Sequence, residues 1–261
     1  MPNDKTLSIG VISYQFDGML TRTITSLGAV PDQVEVVVQV AVDKEEDHRR
    51  FEQQYEAWID QRIMRILPSG DSGIFNAMNR VRLAAKGDYL WFIDAGDELL
   101  SGLDINQFLA YLTEPVNYGF KSAQVYGADT FIRPASRYHT PQPRQIGHVS
   151  SVYHRRAYSS IAFDERRSVS ADQDYTEQCF QQFGWQYVPE VVGVFQLGGV
   201  SSGYRFEDFK AFSTEPLSLR VKFLLKMMLR LLVGAKWTHR IVLARKCDRV
   251  ESDTFCSANT T

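Results

Sequence analysis

PSGDSGIFNAMNRVRLAAKGDYLWFIDAGDEL, residues 68–99, carries a loop, a helix and a strand in that order. Pro68 to Gly73 is a turn-rich link. Ile74 to Ala85 has apolar residues at helical spacing and stops near Gly87, and Tyr89 to Asp94 (YLWFID) is an apolar strand. That strand delivers Asp94 and Asp97 at its carboxyl end, where the ligand crevice of an open α/β sheet is expected. Two carboxylates three apart around Ala95 and Gly96 can face one divalent cation, because small residues let the turn close and hard oxygen ligands suit Mg²⁺ or Mn²⁺. The same spacing also describes a plain solvated acidic turn, to which Glu98 adds a third charge.

Working outward, the same alternation recurs. Leu7 to Ser13 (LSIGVIS) predicts a strand, and Leu20, Ile24 and Leu27 follow at helical spacing. Val34 to Val42 (VEVVVQVAV) is a β-branched run suited to a strand covered on both faces. Asp43 to Asp60 predicts a surface helix, and Arg62 to Leu67 a third strand. Strands and helices alternating over short links predict an α/β domain with a Rossmann-like, mostly parallel central sheet and helices on both faces. Beyond Asp97 the expected elements are strands near Phe120–Tyr126 and Thr130–Arg133, a long polar loop from Pro134 to Gly147 and a helix over Asp172–Phe183. A strand over Gln186–Phe195, the glycine-rich loop GGVSSG (198–203) and a final basic, apolar helix from Leu217 complete the order.

Composition narrows the function classes. With 44% apolar and 23% charged residues among 261, the chain can bury a full core, so dominant disorder is excluded. Twenty-nine basic residues against 31 acidic ones give no support to nucleic-acid binding. Three cysteines, Cys179, Cys247 and Cys256, are too few and too uneven for a disulfide framework or a zinc site, which suits a reducing cytoplasm. The opening residues lack the apolar stretch of a secretory signal. A nicotinamide-binding Rossmann domain is disfavoured, because Tyr14 to Gly18 (YQFDG) follows the first strand where a G-x-G-x-x-G turn would be needed.

The segment GDSGIFNAMNRVRLAAKGDYLWFIDAGDEL resembles the signature of the inverting glycosyltransferase family 2, in particular bacterial exopolysaccharide and colanic-acid-type members. The matching positions are Asp71, Gly73, Ile74, Phe75, Ala77, Met78, Asn79, Ala85, Gly87, Tyr89, Phe92, Ala95, Gly96 and Asp97. Tyr14, Thr23, Ile24, Ser26 and Leu27 look like the family's opening segment. Later, HVSSVYHRR (148–156), Phe163-Asp164-Glu165, ADQDY (171–175) and GGVS (198–201) fall in the family's order, so the resemblance spans most of residues 7–205.

The resemblance implies a GT-A fold, a nucleotide-sugar donor with UDP-sugars favoured, and Mn²⁺ or Mg²⁺ held by Asp97 and Asp94. It places Ser13, Tyr14, Asp43, Asp71, Gly73, Asn79, Asp94 and His148 around the donor. Asp172 matches the family's general base, with Asp174 as the alternate. For Asp172 a helix N-cap is the competing reading, and for His148 a hydrogen-bonded structural histidine. The sequence also departs from the family's pattern. AVDKEED (41–47) replaces the usual Asp-Gly-Ser-Thr-Asp-like loop, leaving Asp43 to keep the nucleobase contact. Gln15 stands where Asn is usual, and Gly96 replaces the middle acid of Asp-x-Asp-Asp, making Asp97 the better metal ligand.

Between Leu217 and Arg249 lie nine basic residues and the single acid Asp248. Lys222, Lys226 and Arg230, spaced by four, make a stripe beside Phe223, Leu224, Leu225, Met227, Met228, Leu231 and Leu232. Such an amphipathic helix fits the interface of an anionic membrane, or packing against the catalytic domain or a second subunit in a homo-oligomer. The resulting expectation is a GT-A domain over 1–212, a helical tail over 213–250 and a disordered terminus over 251–261. Its activity would be sugar transfer to a saccharide or lipid-linked saccharide acceptor in surface polysaccharide synthesis. The location would be cytoplasmic, peripheral at the inner face of the plasma membrane. The alternative is a nucleotide-sugar-binding homologue without turnover.

Overall fold

Alternate side chains of a strand face opposite ways, and the first strands use this to build two cores on one sheet. Leu7, Ile9 and Val11 of β1 (Leu7–Gln15) and Val36, Val38 and Val40 of β2 (Val34–Val42) join one apolar cluster, while Ile12 and Val37 join the other. The computed structural model describes residues 6–42, 44–199 and 202–250. Between these strands runs α1 (Gly18–Ser26), started by Asp17, whose carboxylate accepts the Met19 and Leu20 N–H groups. After β2 come α2 (Glu45–Gln54), α3 (Glu56–Asp60), β3 (Met64–Ile66), α4 (Ile74–Ala84) and β4 (Tyr89–Phe92). The helix expected over 43–60 is broken at Tyr55 (φ −114°, ψ 21°), whose ring is buried against Phe51 and Trp58.

β1, β2, β3 and β4 are all parallel, in the order β4-β1-β2-β3, so their carboxyl ends share one edge. One face is covered by α1, α2, α3 and α5 (Ile105–Leu109), the other by α4, α6 (Arg155–Ser160) and α7 (Ala171–Phe183). Gly87 lets the link into β4 pass close to β1, since a Cβ there would meet the Leu7 and Ser8 backbone at 2.6 and 2.4 Å.

The second half is mixed. It contains β5 (Glu98–Leu99), β6 (Asn117–Tyr126), β7 (Asp129–Arg133), β8 (Ser151–His154), β9 (Trp185–Gln196), α8 (Leu217–Leu243) and β10 (Asp248–Val250). β8 lies antiparallel to β4 and β6, β9 runs parallel to β6, and β7 returns antiparallel along β6 with β10 at its outer side. The register fixes what faces the crevice. Trp91 is level with Val152, which is level with Tyr118. Four residues further along β6, Ser122 pairs with Arg133, so β7 ends near the level of the turn that follows β4.

α8 corrects the expected basic stripe. Lys226 lies over the Tyr204 ring, 5.1 Å from its centroid, and Arg230 donates to the Gly203 carbonyl, so these two cations face the domain. What α8 presents outward is mostly apolar: Leu217, Val221, Leu225, Met228, Leu231 and Leu232 are all exposed, with Lys222 and Lys236 beside them. Among the described residues no helix is long and apolar enough to cross a membrane.

Candidate active site

The turn after β4 is built by three neighbouring elements. The Asp97 N–H donates to the Asp94 carbonyl at 2.9 Å, closing a four-residue turn whose third position, Gly96, has φ +103°. A positive φ at that position favours glycine, which gives a physical reason for Gly96 where the family carries an acid. From α1, the Thr23 hydroxyl accepts the Gly96 N–H and donates to the Asp97 carbonyl, and Ser26 accepts the Leu99 N–H. Arg22 pairs with Glu98 at 2.9 Å. From β9, the Gln196 N–H donates to Asp97 Oδ1 at 3.1 Å.

Asp94 and Asp97 are thereby fixed beside one another away from bulk water. Burial first, and the Asp172 carboxylate second, push the Asp94 carboxyl up to about 7. Burial and Asp94 raise Asp97 well above the usual carboxylate range, against the opposing Gln196 hydrogen bond. Asp172 lies in the first turn of α7, where Ser170 and not Asp172 is the N-cap residue. Its carboxyl rises to about 6 through burial, opposed by hydrogen bonds from the backbone at Gln173 and Asp172 and by the Arg133 charge. Asp174, two residues on, is taken up by Arg144 and Arg167.

Several polar atoms here are buried and have no partner among the described residues: Asp94 Oδ1, Asp172 Oδ1 and both ring nitrogens of His148. They surround one aromatic group. His148 stacks on Phe92, Phe92 meets Phe163 edge-on, and Phe163 stacks on Tyr175 at 3.8 Å. Burial lowers the His148 imidazole to about 4, so it is neutral at physiological pH and offers one donor and one acceptor. Unpaired buried groups are costly, and a cluster of them marks where a ligand would supply the partners.

The remaining expected residues separate into two groups. Ser13 and Tyr14 stand at the carboxyl end of β1, with Tyr14 72% exposed and the Ser13 hydroxyl donating to the Gln15 carbonyl. Asp71, between β3 and α4, accepts from Gln39 Nε2 and from the N–H of Gly73, which is the N-cap of α4. These lie along the edge shared by the parallel strands. Asn79 faces elsewhere, buried on α4 and bonded to Phe163, Glu165 and Arg82. Asp43 lies outside the described residues, as do Val200 and Ser201 of the glycine-rich loop. The described remainder of that loop is tied to α8, with the Ser202 carbonyl against His239 and the Gly203 carbonyl against Arg230.

Two residues at the site had no expectation attached to them. Arg133 donates to the carbonyls of Gln145 and Arg144 at 2.9 and 3.0 Å and holds its charge near Asp172. A charge ending the apolar run DTFIR was the available signal. Glu215 is buried and accepts from Arg167 and from the Val169 N–H, and it pairs with Ser170. It therefore shapes the loop that presents Asp172. Nothing local in its sequence indicated that contact.

Among the described residues no three or more His, Cys, Asp or Glu side chains are grouped as a metal cage. Two close carboxylates, one with an unpartnered oxygen, nonetheless fit a hard cation that takes its other ligands from water and a diphosphate.

The model of glycosyl transferase family 2 matches residues 8–172. Among curated proteins no sequence relative matches. Solved structures with this fold include S. aureus TarS in complex with UDP, at 14% identity and TM-score 0.58, covering 91% of this chain and 75% of that one. A second is the mannosyltransferase PcManGT from Pyrobaculum calidifontis in complex with GDP-Man and Mn²⁺. It is 14% identical, with TM-score 0.53 and coverage of 94% and 76%.

The raised Asp94 carboxyl sets a pH dependence of stability. Because its folded pKa of about 7 exceeds the unfolded value, each pH unit between roughly 4 and 7 destabilises the native state, and above 7 the loss is complete. Asp94→Asn should therefore stabilise metal-free protein at pH 8, by on the order of a few kcal/mol at most, and raise its melting temperature. The gain should shrink toward pH 5. Identical melting curves for parent and variant across pH 5–8 would mean that Asp94 is not held against its own ionisation.

Proposed function

The chain belongs to glycosyl transferase family 2, and from that premise we propose that it transfers a sugar, with inversion, from a nucleotide-sugar donor to a hydroxyl acceptor. The observation that carries this reading is that Asp94 and Asp172 influence one another and His148 stacks on Phe92 of β4, each of the three having a buried polar atom without a partner among the described residues. Ser13, Tyr14, Asp71 and Gly73 line the nucleoside side, with Asp43 assigned there from the sequence. A UDP-sugar is favoured as donor. In support, TarS structures hold UDP and UDP-GlcNAc, although PcManGT holds GDP-Man.

In the reaction, the acceptor oxygen attacks the anomeric carbon from the face opposite the leaving group, and the bond to the diphosphate oxygen breaks. Asp172 accepts the acceptor's hydroxyl proton as general base. Asp174, already paired with two arginines, is poorly placed to compete. Neutral His148 can donate a hydrogen bond to the donor without adding charge. Asp94 and Asp97 would hold Mn²⁺ or Mg²⁺, which when bound neutralises charge on the departing diphosphate. The acceptor class proposed is a saccharide, free or lipid-linked, of a bacterial surface polysaccharide.

A bilayer contact is proposed for the outer face of α8. Residues 217–247 contain no acid, and the helix exposes Leu217, Leu225, Met228, Leu231, Leu232 and Trp237 beside Arg220, Lys222 and Lys236. Apolar burial combined with basic charge is the chemistry of an anionic lipid interface.

Three outcomes follow. Asp172→Asn should lower turnover by about 10² to 10⁴ with donor affinity retained. The parent's rate should rise with pH through about 6, as the base ionises. A variant with full turnover would remove Asp172 from the reaction. Chelator should abolish transfer and Mn²⁺ or Mg²⁺ restore it, and Asp97→Ala should cost roughly 10² to 10³ in rate. Transfer by Asp97→Ala in chelator would end the metal assignment. Leu225→Ser combined with Leu232→Ser should release the protein from anionic liposomes while preserving its melting temperature. A parent that ignores such liposomes at low salt and elutes as a dimer split by these changes would instead mark a subunit interface.

A further inference from the structure

Asp172 stands between two residues that are held from outside its helix. Two positions before it is Ser170, the N-cap residue of α7, whose hydroxyl makes no bond to the first turn. That hydroxyl instead accepts from Arg167 and donates to Glu215. Two positions after it, Asp174 pairs with Arg167 and, at 2.9 Å, with Arg144. Arg167 is common to both flanks, and its guanidinium is engaged along the whole fork. Nη1 donates to Asp174, Nη2 to Ser170 and, at 2.7 Å, to Glu215 Oε2, and Nε to the same Glu215 oxygen at 3.1 Å. Glu215, its side chain fully buried, is fixed in turn by the Val169 N–H, 3.0 Å from Oε1. On the inner side of the helix the Thr176 hydroxyl donates to the Asp172 carbonyl at 2.8 Å and lies 2.7 Å from the Tyr153 hydroxyl.

Residues 170, 174 and 176 are therefore tied down around a carboxylate that keeps one buried oxygen, Oδ1, without a partner among the described residues. The arrangement is not the one that best stabilises the helix. A serine at the N-cap ordinarily accepts an N–H of the first turn, and giving up that bond weakens the helix start. Gathering two carboxylates onto one guanidinium also costs desolvation and side-chain entropy. A local rule broken beside a reacting group points to function rather than to stability. What the arrangement secures is the placement of the first turn, and small displacements of a reacting group cost rate steeply.

We propose that Arg167 is a positioning residue for the transfer reaction, gripping Ser170, Asp174 and Glu215 together so that the first turn of α7 presents Asp172 Oδ1 to the acceptor hydroxyl. This rests on the glycosyltransferase reading and on Asp172 as its base. Arg167 takes no proton and acts through Asp172. The planar fork is what matters, because a lysine would keep the charge but offer a single ammonium to contacts spread over three side chains. A cavity of about 490 Å³, bordered by Arg166, Arg167, Thr214 and Glu215 among others, opens beside the guanidinium, so a small cation can enter from solution when that side chain is shortened.

Turnover by the full chain tests the proposal, with Mn²⁺, a panel of UDP- and GDP-sugars as donors and water in the acceptor's place. Arg167→Lys should lower turnover by about tenfold to a hundredfold while the donor KM and the calorimetric affinity for UDP–Mn²⁺ stay within about twofold of the parent's. In an Asp172→Asn background the same substitution should cost nothing further, because the base it orients is gone. Hydrogen exchange should quicken at amides 168–175 and stay unchanged elsewhere. Millimolar guanidinium should return part of the lost turnover to Arg167→Ala, and ammonium should not. Parental turnover in Arg167→Lys, a matching loss of UDP–Mn²⁺ affinity, or a loss that adds to that of Asp172→Asn overturns the proposal. An active parent with an unaffected Arg167→Lys removes only the positioning role, whereas a parent that turns over no donor in the panel removes the glycosyltransferase reading and the proposal with it.

Discussion

Burial of the Asp94, Asp97 and Asp172 carboxyls, reinforced by Asp172 repelling Asp94 and Asp94 repelling Asp97, is the constraint around which the crevice is organised. Carboxylates left free would swing apart toward solvent. Here the Thr23 hydroxyl, the Ser26 hydroxyl, the Arg22–Glu98 pair and the Gln196 N–H pin the turn from both sides. Glu215, held by Arg167 and Ser170, fixes the loop that carries Asp172. The strain is concentrated where a cation and a donor's polar groups would relieve it, which is how a site is made ready at the expense of apo stability.

Charge is also graded along the crevice. Asp97 and Asp94 are the most reluctant to ionise, and Asp172 less so because Arg133 and the first turn of α7 favour its anion. Such a gradient suits the proposed roles, two carboxylates for a metal and a third near the pH at which it could take a proton.

Much of the first half was legible because its signals are local. Val34–Val42 begins and ends where the β-branched run does, and the turn carrying Asp94 and Asp97 stands where the sequence expected it, beyond the carboxyl end of β4. The second half depends on distant partners. β8 is four residues long and acquires strand geometry from β4 and β6, and β10 is three residues that exist as a strand only beside β7. The inward turn of Lys226 and Arg230 follows from Tyr204 and Gly203, some twenty or more residues away, so helical periodicity alone could not choose between a lipid-facing and a domain-facing stripe. Arg133 was hidden for a similar reason, since its place beside Asp172 comes from the β6–β7 register.

The central claim is that buried, partly protonated carboxylates await a cation and a nucleoside diphosphate. Proton release on binding tests it most directly, read as the dependence of the calorimetric enthalpy on buffer ionisation enthalpy at pH 6.5 with Mn²⁺ and UDP or GDP. The account predicts that the parent releases about one more proton than Asp94→Asn, because a carboxyl with a pKa near 7 must ionise to serve the metal. Equal proton release by parent and variant, with diphosphate binding intact in both, would contradict it.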